Sequence, residues 1–243
     1  MPSPIPRRRL LQAAAVGAVA LWVWGAPRLP GLWRAPQSFT PIAGAAPFRR
    51  LDRAGALSGA NVALLGLPQE APSAVAVPDL CRALFGDRPG LAIAVFSDAN
   101  CPNCPEMEAT LARISATEAI PLELHHLPIL GRSSDLAARA DLAARLQGAA
   151  LYKTLAEAPV VVTPRLVQDA ARAAGLDAER LATDMTGPRV EAALDTSRAL
   201  ARQLGLIGTP ATVIGRTVVL GVLPPDEIAQ IIALERQDGE GCG

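Results

Sequence analysis

Two cysteines three positions apart are the residues of this sequence best suited to chemistry. Cys101 and Cys104 enclose a proline and an asparagine in a C-x-x-C motif. This spacing brings both sulfurs to one side of a helical turn, close enough for a reversible disulfide, and it also suits half of a zinc site. Zinc sites usually need a second paired motif, whereas Cys81 and Cys242 stand singly. The motif therefore favours thiol–disulfide exchange over metal binding.

The residues around the motif predict the elements that position it. Residues 91–96 form a continuous apolar run, typical of a strand buried on both sides of a sheet. An amphipathic helix follows the cysteines to about Ser115, and residues 121–127 alternate as a half-buried strand does. The order predicts a βαβ unit with the cysteines at the carboxyl end of its first strand, where α/β sheets place chemistry.

The predicted helix start gives the two cysteines different roles. A thiolate attacks a disulfide, and the positive end of a helix dipole lowers the pKa of a thiol. We expect Cys101 to lie at the helix N-terminus as the exposed attacking sulfur, with Pro102 at the first helical position. Cys104, one turn further, is expected to be the buried resolving sulfur.

The rest of the chain predicts the second half of an α/β domain. An alanine-rich helical block is divided by two breaks that contain proline. The predicted elements are, in order, the helical block over 132–206, strands over 206–215 and 216–220, and a last helix from Pro225 to about Arg236. We therefore predict an α/β fold in which a helical insertion separates a βαβ half from a ββα half.

The N-terminal segment has the pattern of an export signal. Three arginines at 7–9 precede an apolar run from Leu10 to about Ala26. The arginines are similar to the twin-arginine pattern; an ordinary secretory signal and an uncleaved anchor over residues 10–26 are the alternatives. Residues 1–26 are thus predicted to be an export signal or a signal anchor, which places the protein in the periplasm or otherwise outside the cytoplasm.

Residues 27–87 are predicted to be a linker and an N-terminal extension. The part up to residue 50 is rich in proline, glycine and alanine and has no apolar period, so it is interpreted as a linker. A short strand over 61–67 and a short helix or turn over 80–85 are expected further on. The formal net charge of +0 gives no long-range attraction to nucleic acid, and membrane contact is expected only through the N-terminal segment.

The stretch from Phe96 to Cys104 resembles the active site of the DsbA-like family of the thioredoxin superfamily. The helical block, Gly208-Thr209-Pro210, and Gly221 with the helix start at Pro224-Pro225 add to the resemblance, which spans roughly residues 88–237. It implies a thioredoxin fold with a helical insertion. The implied boundaries are a DsbA-like domain over 88–238 with its insertion at 132–206, and a C-terminal tail over 239–243.

The resemblance also implies roles for individual residues and for partners. The implied site consists of Cys101 as nucleophile, Cys104 as resolver, Pro210 in cis facing the cysteines, Thr209 pairing through its backbone with the substrate chain, and Pro102 and Asn103 in substrate binding. The implied partners are unfolded or reduced exported proteins and a membrane redox partner. No cofactor and no metal are implied.

Two positions depart from the oxidase pattern of the family. Asn103 stands where the oxidases have a histidine that helps to stabilise the thiolate, and Val95 replaces their buried glutamate. We therefore expect a weaker oxidant than the DsbA prototype. A disulfide isomerase or reductase is the first alternative, and an exported copper chaperone that uses the C-x-x-C motif is the second.

Five further residues lie outside the motif and the Gly208-Thr209-Pro210 segment. Cys81 and Cys242 are expected to pair as a structural disulfide, with two unpaired and inert thiols as the alternative. Asp98 is interpreted either as a proton relay for Cys104 or as a turn and cap former. His125 and His126 are expected on the exposed face of a strand, and the arginines of 132–206 on solvated helix faces.

Overall fold

The computed structural model describes residues 37–52, 77–158, 161–239 and 242. The predicted export signal and the predicted strand over 61–67 lie outside these residues. Contacts divide the chain into the units Met1–Ser38 and Phe39–Gly243, and all the described helices lie in the second unit. No helix among the described residues has both the length and the apolar character needed to cross a membrane.

One mixed sheet of six strands forms the centre of the domain. Its spatial order is β1-β2-β6-β5-β3-β4. Strand β3 pairs in parallel with β4 and antiparallel with β5, β5 pairs antiparallel with β6, and β6 pairs in parallel with β2. The strands are β1 (Ser38–Pro41), β2 (Arg49–Asp52), β3 (Ile93–Ser97), β4 (Leu122–His126), β5 (Ala211–Ile214) and β6 (Thr217–Leu220).

Helices occupy both faces of the sheet and the connection between β4 and β5. The helices are α1 (Leu80–Phe85), α2 (Cys104–Glu118), α3 (Arg132–Arg145), α4 (Tyr152–Ala156), α5 (Pro164–Ala173), α6 (Ala178–Asp184), α7 (Pro188–Gln203) and α8 (Pro225–Gln237). The βαβ half is β3-α2-β4, and the ββα half is β5-β6-α8. Helices α3 to α7 lie between the two halves, where the alanine-rich block predicts an insertion.

Strand β3 is buried along its whole length because helices cover both sides of the sheet. Successive side chains alternate between the two faces. Ile93 and Val95 pack with Met107 of α2 and with the isoleucines of α8, whereas Phe96 packs with Leu200 of α7 and with α1 on the other face. The central strand thus fixes the position of the loop that follows Ser97.

The helical insertion has a core of its own. Small residues at helical spacing allow the helices to approach closely, and leucines and valines fill the space between them. The central members of this core are Ala137, Ala140, Ala144, Leu155, Val167, Ala171, Leu181 and Leu194. The expectation that the arginines of 132–206 lie on solvated helix faces is wrong for Arg139. Its guanidinium donates to Asp135 of its own helix and to Glu191 of α7.

The prediction of a linker up to residue 50 is wrong, because two strands begin within it. Arg49 lies beside Thr217 in the parallel pairing of β2 with β6. Its guanidinium donates to Glu235 at 2.8 Å and to Asp238 at 3.0 Å, near the end of α8. Each strand has only four residues, and β2 consists largely of charged ones, so neither has an apolar period that the sequence pattern could reveal.

Candidate active site

The C-x-x-C motif lies where β3 ends and α2 begins. Cys101 and Cys104 form a disulfide whose Cα atoms are 5.4 Å apart. Cys104 is completely buried, and 4% of Cys101 is exposed. Cys101 is therefore the more accessible of the two, although it is far less exposed than the sequence interpretation expected.

The start of the helix differs from the prediction. Helix α2 begins at Cys104, not at Cys101, with Asn103 as its N-cap residue and Pro105 in the first turn. Pro102 lies in the preceding turn, in which the N–H of Cys104 donates to the carbonyl of Cys101 at 3.2 Å. The sequence contains prolines on both sides of Asn103, and either can open a helix. Cys104 is thus the residue at the positive end of the helix dipole, and the disulfide joins Cys101 to it.

Asp98 holds the loop that carries the motif. Its carboxylate is buried and accepts hydrogen bonds from the backbone N–H groups of Asn100, Ile129 and Leu130 at 2.7–2.9 Å. The hydroxyl of Ser134 donates to it at 2.5 Å. Four donors from three segments converge on one carboxylate, so Asp98 ties the active-site loop to the loop after β4 and to α3.

The segment Thr209-Pro210 lies at the same edge of the sheet as the motif. The peptide bond between these residues is cis, and Pro210 is buried. Ala211 pairs with Phe96 in the antiparallel register of β5 and β3, so the amino end of β5 adjoins the carboxyl end of β3. The carbonyl of Pro210 accepts from the N–H of Gly221 at 2.8 Å, which fixes the loop after β6 beside it.

A second polar group lies on the helix side of the motif. The hydroxyl of Ser97, at the end of β3, donates to Glu108 of α2 and lies 2.7 Å from the hydroxyl of Tyr152 of α4. Burial raises the pKa of Glu108, and burial together with the nearby Glu108 raises the pKa of Tyr152. The sequence analysis missed this group; its one signal is a glutamate between the buried Met107 and Leu111.

The expectation of an exposed histidine pair on β4 is wrong. His126 is 2% exposed, and its Nε2 lies 2.8 Å from the carboxylate of Asp141, which is itself fully buried. The ring of His125 stacks on Phe96, and its Nε2 lies 2.9 Å from the carbonyl of Leu84. Sequence alternation identified a half-buried strand, but it could not show that the insertion and α1 cover this end of β4.

Exposed apolar side chains lie on loops at the end of the sheet that carries the motif. Large apolar residues that are 37–50% exposed come from the loop after β4, the loop before β5 and the loop after β6. They are Ile129, Leu130, Ile207 and Val222, and we call them the apolar rim. The N–H groups of Ile129 and Leu130 donate to Asp98 of the active-site loop. Val222 follows Gly221, whose N–H donates to the carbonyl of Pro210. Hydrogen bonds therefore connect the rim to the loop of the motif and to the proline segment.

The remaining predicted residues lie beside the motif in the chain, open β5 or form a second disulfide. Pro102 and Asn103 are exposed beside the disulfide, and Thr209 is half-buried. Cys81 of α1 and Cys242 form a second disulfide, which spans 161 positions. Within the described residues, no group of three or more histidine, cysteine or acidic side chains is arranged to hold a metal ion.

The site has two parts: a C-x-x-C disulfide at the start of the helix in the βαβ half, and a cis proline at the start of the ββα half, next to the end of β3. This combination defines a redox protein with the thioredoxin fold. The family model of the DSBA-like thioredoxin domain matches residues 92–233. The chain therefore belongs to the DSBA-like thioredoxin family, and it is a thiol–disulfide oxidoreductase with Cys101 and Cys104 as its C-x-x-C pair. The predicted α/β thioredoxin fold is confirmed.

Solved structures agree with this assignment. A thioredoxin-like oxidoreductase from Silicibacter pomeroyi DSS-3 is 33% identical, with a TM-score of 0.58 over 64% of this chain and 97% of that one. The catalytic domain of Proteus mirabilis ScsC is 27% identical, with a TM-score of 0.52 over 63% and 93%. A periplasmic thioredoxin-like protein from Salmonella enterica serovar Typhimurium is 26% identical, with a TM-score of 0.52 over 66% and 98%. No curated protein matches the sequence.

Proposed function

We propose that the protein oxidises thiols of unfolded exported polypeptides in the periplasm, and that it is a weaker oxidant than the DsbA prototype. A substrate thiolate attacks Cys101, which leaves a mixed disulfide on Cys101 and a thiolate on Cys104. A second substrate thiol then resolves the mixed disulfide and leaves the pair reduced. A membrane redox partner returns the pair to its disulfide form.

The observation that carries this proposal is the apolar rim. An unfolded polypeptide exposes apolar side chains that a folded one buries, and an exposed apolar patch beside a reactive group is typical of a binding surface for such segments. Ile129, Leu130, Ile207 and Val222 come from three loops that adjoin the motif. Thr209, with Pro102 and Asn103, lies in the same region and would contact the backbone of the bound segment.

The strength of the oxidant follows from what stabilises the thiolate of Cys101. A cationic neighbour favours the thiolate and thereby the reduced form. Asn103 carries no charge and makes no side-chain hydrogen bond at the helix N-terminus. The helix dipole then acts without a cationic partner at this position, so the reduced pair is stabilised less than it would be with a histidine there.

An extracytoplasmic location is supported by two observations. Residues 7–26 have the basic and apolar regions of an export signal, in either the twin-arginine or the ordinary secretory form. One similar structure is that of a periplasmic protein. Whether residues 10–26 are cleaved or stay as an anchor can be read from the N-terminus of the mature protein.

The role of the apolar rim in binding polypeptides is tested by comparing a polypeptide substrate with a small dithiol. Oxidised Ile207→Ser protein is compared with wild type on a reduced, unfolded protein and on dithiothreitol. Loss of one apolar contact of about 1 kcal/mol should raise the KM for the polypeptide about fivefold, while the rate with dithiothreitol stays unchanged. Val161→Ser is the matched control, because Val161 is 69% exposed and lies between α4 and α5 of the insertion, in none of the three rim loops.

The direction of exchange is tested on the wild-type protein. Oxidation of the reduced polypeptide is expected to be faster than catalysis of insulin reduction, and equilibrium with glutathione is expected to give a potential more negative than the about −120 mV of the DsbA prototype. Faster refolding of a scrambled substrate than oxidation of a reduced one would contradict the proposal in favour of an isomerase. An equal KM for the Ile207→Ser and wild-type proteins would contradict the role of the rim.

A further inference from the structure

Thr212, on strand β5, carries a buried hydroxyl group without a hydrogen bond. The residue is completely buried, and its Oγ1 has no hydrogen-bond partner among the described residues. The other buried side-chain atoms without a partner in this part of the chain belong to an arginine, a histidine and an aspartate, each of which has further polar atoms. An unpaired buried polar group destabilises a fold, so its presence calls for an explanation such as a redox or catalytic role.

The register of the sheet places this hydroxyl on the face that α2 covers. Thr212 lies opposite Val95 of β3 on one side and opposite Val219 of β6 on the other. Residues that lie opposite each other in paired strands project from the same face of the sheet. Both valines pack with Met107 of α2, so the side chain of Thr212 projects toward α2 as well.

Cys104 lies over the same part of the sheet. Cys104 and Met107 are three positions apart on α2, so they lie on one face of the helix, and both are completely buried. Met107 packs with Val95, and Cys104 lies one turn nearer the start of α2, toward the end of β3. The carboxyl end of β3 adjoins the amino end of β5, to which Thr212 belongs. The buried sulfur and the unpaired hydroxyl thus share one region beneath the start of α2.

The neighbouring side chains of this face leave the Thr212 hydroxyl as the available donor. Ser97, at the end of β3, donates its hydroxyl to Glu108 and lies 2.7 Å from the hydroxyl of Tyr152. Val95 has an apolar side chain and can donate nothing. Among the described side chains at this end of the face, Thr212 therefore carries the hydroxyl that has no acceptor in the disulfide form.

Opening of the Cys101–Cys104 bond, which we call the Cys104 step, creates an acceptor in this region. When a thiolate attacks Cys101, the sulfur of Cys104 leaves as a thiolate at a completely buried position. A buried anion is stabilised by hydrogen bonds from neighbouring donors, and such bonds are stronger than those between neutral groups. The sulfur of a disulfide is by contrast a weak acceptor, which agrees with an unpaired hydroxyl in the oxidised protein.

We propose that the Thr212 hydroxyl donates a hydrogen bond to the Cys104 sulfur as the disulfide opens, and so makes Cys104 a better leaving group. The substrate sulfur bonds to Cys101, the Cys101–Cys104 bond breaks, and the electron pair of that bond stays on the Cys104 sulfur. The substrate sulfur is thereby oxidised and the Cys104 sulfur reduced, while Thr212 keeps its proton. This rests on the proposed function insofar as Cys101 and Cys104 exchange disulfides.

The test measures the Cys104 step in the oxidised full-length protein. Dithiothreitol is added, and opening of the Cys101–Cys104 bond is followed by acid quenching, alkylation and mass spectrometry of the active-site peptide. Thr212→Val keeps the branched side chain and removes the hydroxyl, so opening should slow about tenfold, the effect of one lost hydrogen bond to a charged group. Thr212→Ser keeps the hydroxyl and should open at the wild-type rate.

A loss of rate caused by poorer packing would have a different signature. In the oxidised protein Thr212→Val removes an unpaired hydroxyl, so its midpoint of urea unfolding should equal or exceed that of wild type. Thr217→Val is the matched control, because this buried threonine of β6 donates its hydroxyl to Glu235 at 2.7 Å. The control should unfold at a lower urea concentration, while its disulfide opens at the wild-type rate.

Two results would overturn the role of Thr212. One is a Thr212→Val protein whose disulfide opens as fast as that of wild type, and the other is a Thr212→Ser protein as slow as Thr212→Val. A wild-type protein that dithiothreitol reduces but that oxidises no unfolded polypeptide would instead contradict the proposed function. The two failures are therefore distinguishable.

Discussion

Asp98 shows how one buried carboxylate can hold several loops of an active site. It accepts hydrogen bonds from three backbone N–H groups and from the hydroxyl of Ser134, and it is 2% exposed. These bonds agree with the interpretation of Asp98 as a turn and cap former. The proton relay to Cys104 stays a prediction, and the two roles differ in what a substitution would change.

Asp98→Asn should lower the free energy of unfolding by about 2–4 kcal/mol, because an amide group must turn an NH₂ toward donors and leave some of them unpaired. Urea denaturation measures this loss. Asp87→Asn, which removes an exposed ion pair with Arg82, is the control and should change stability by less than about 0.5 kcal/mol. Unchanged stability of Asp98→Asn with a slower Cys104 step would support the relay instead.

At the level of elements, the end of β4 joins the sheet to the insertion. Asp141 of α3 accepts from the backbone N–H groups of Leu151 and Tyr152, lies against His126 and pairs with Arg145. Burial raises the pKa of Asp141, but the hydrogen bond and charge of His126, the charge of Arg145 and the N–H of Tyr152 outweigh it and bring the pKa to about 2. Burial lowers the pKa of His125 on the same strand.

Acid should therefore destabilise the domain in two stages. His125 has a lower pKa folded than unfolded, so stability falls as the pH drops below about 6.5. Asp141 has its pKa lowered from 3.8, so its contribution of about 2 kcal/mol is present above that pH and is lost as the pH falls toward 2. Thermal unfolding from pH 7 to 2 measures both stages.

Two variants test whether Asp141 causes the second loss of stability in acid. Asp141→Asn should lower stability at neutral pH and flatten the curve below pH 4, while Asp195→Asn on the surface of α7 should leave the curve unchanged. A wild-type acid stage that persists in Asp141→Asn would assign it to another group.

Elements with a long apolar period or a continuous apolar run were predictable from sequence, and short polar ones were not. The helix α2 and the helical block have apolar periods over many residues, and every residue of 91–96 at β3 is apolar, so these elements stand out. Strand β2 has four residues and two arginines, and its place depends on Thr217 and Glu235, far along the chain. The cysteine pair is a local motif, whereas the contact between Ser97 and Glu108 depends on how β3 and α2 pack together.

At the scale of the whole molecule, two links tie early segments of the domain to its end. Arg49 of β2 pairs with the buried Glu235 of α8, and Cys81 of α1 is bonded to Cys242. The ion pair spans 186 positions and the disulfide spans 161. A cross-link over such a distance removes much of the freedom of the unfolded chain.

The double variant Cys81→Ser/Cys242→Ser should lower the free energy of unfolding by about 3–5 kcal/mol, because the closed loop is long. Disulfide exchange at Cys101 and Cys104 should continue at the wild-type rate below the melting temperature. Thiol counting checks the wild-type state: selective reduction of the active-site pair should expose two thiols. Four free thiols in the native protein would contradict the pairing.

The long disulfide has a consequence for maturation. Cys81 is synthesised long before Cys242, so a newly made molecule begins without this link and must acquire it after nearly all of the domain has been synthesised. The protein is then a client of the same chemistry that it carries out. Formation of the complete molecule therefore requires an oxidant for this bond, and under reducing conditions we expect copies of the enzyme that lack the Cys81–Cys242 link.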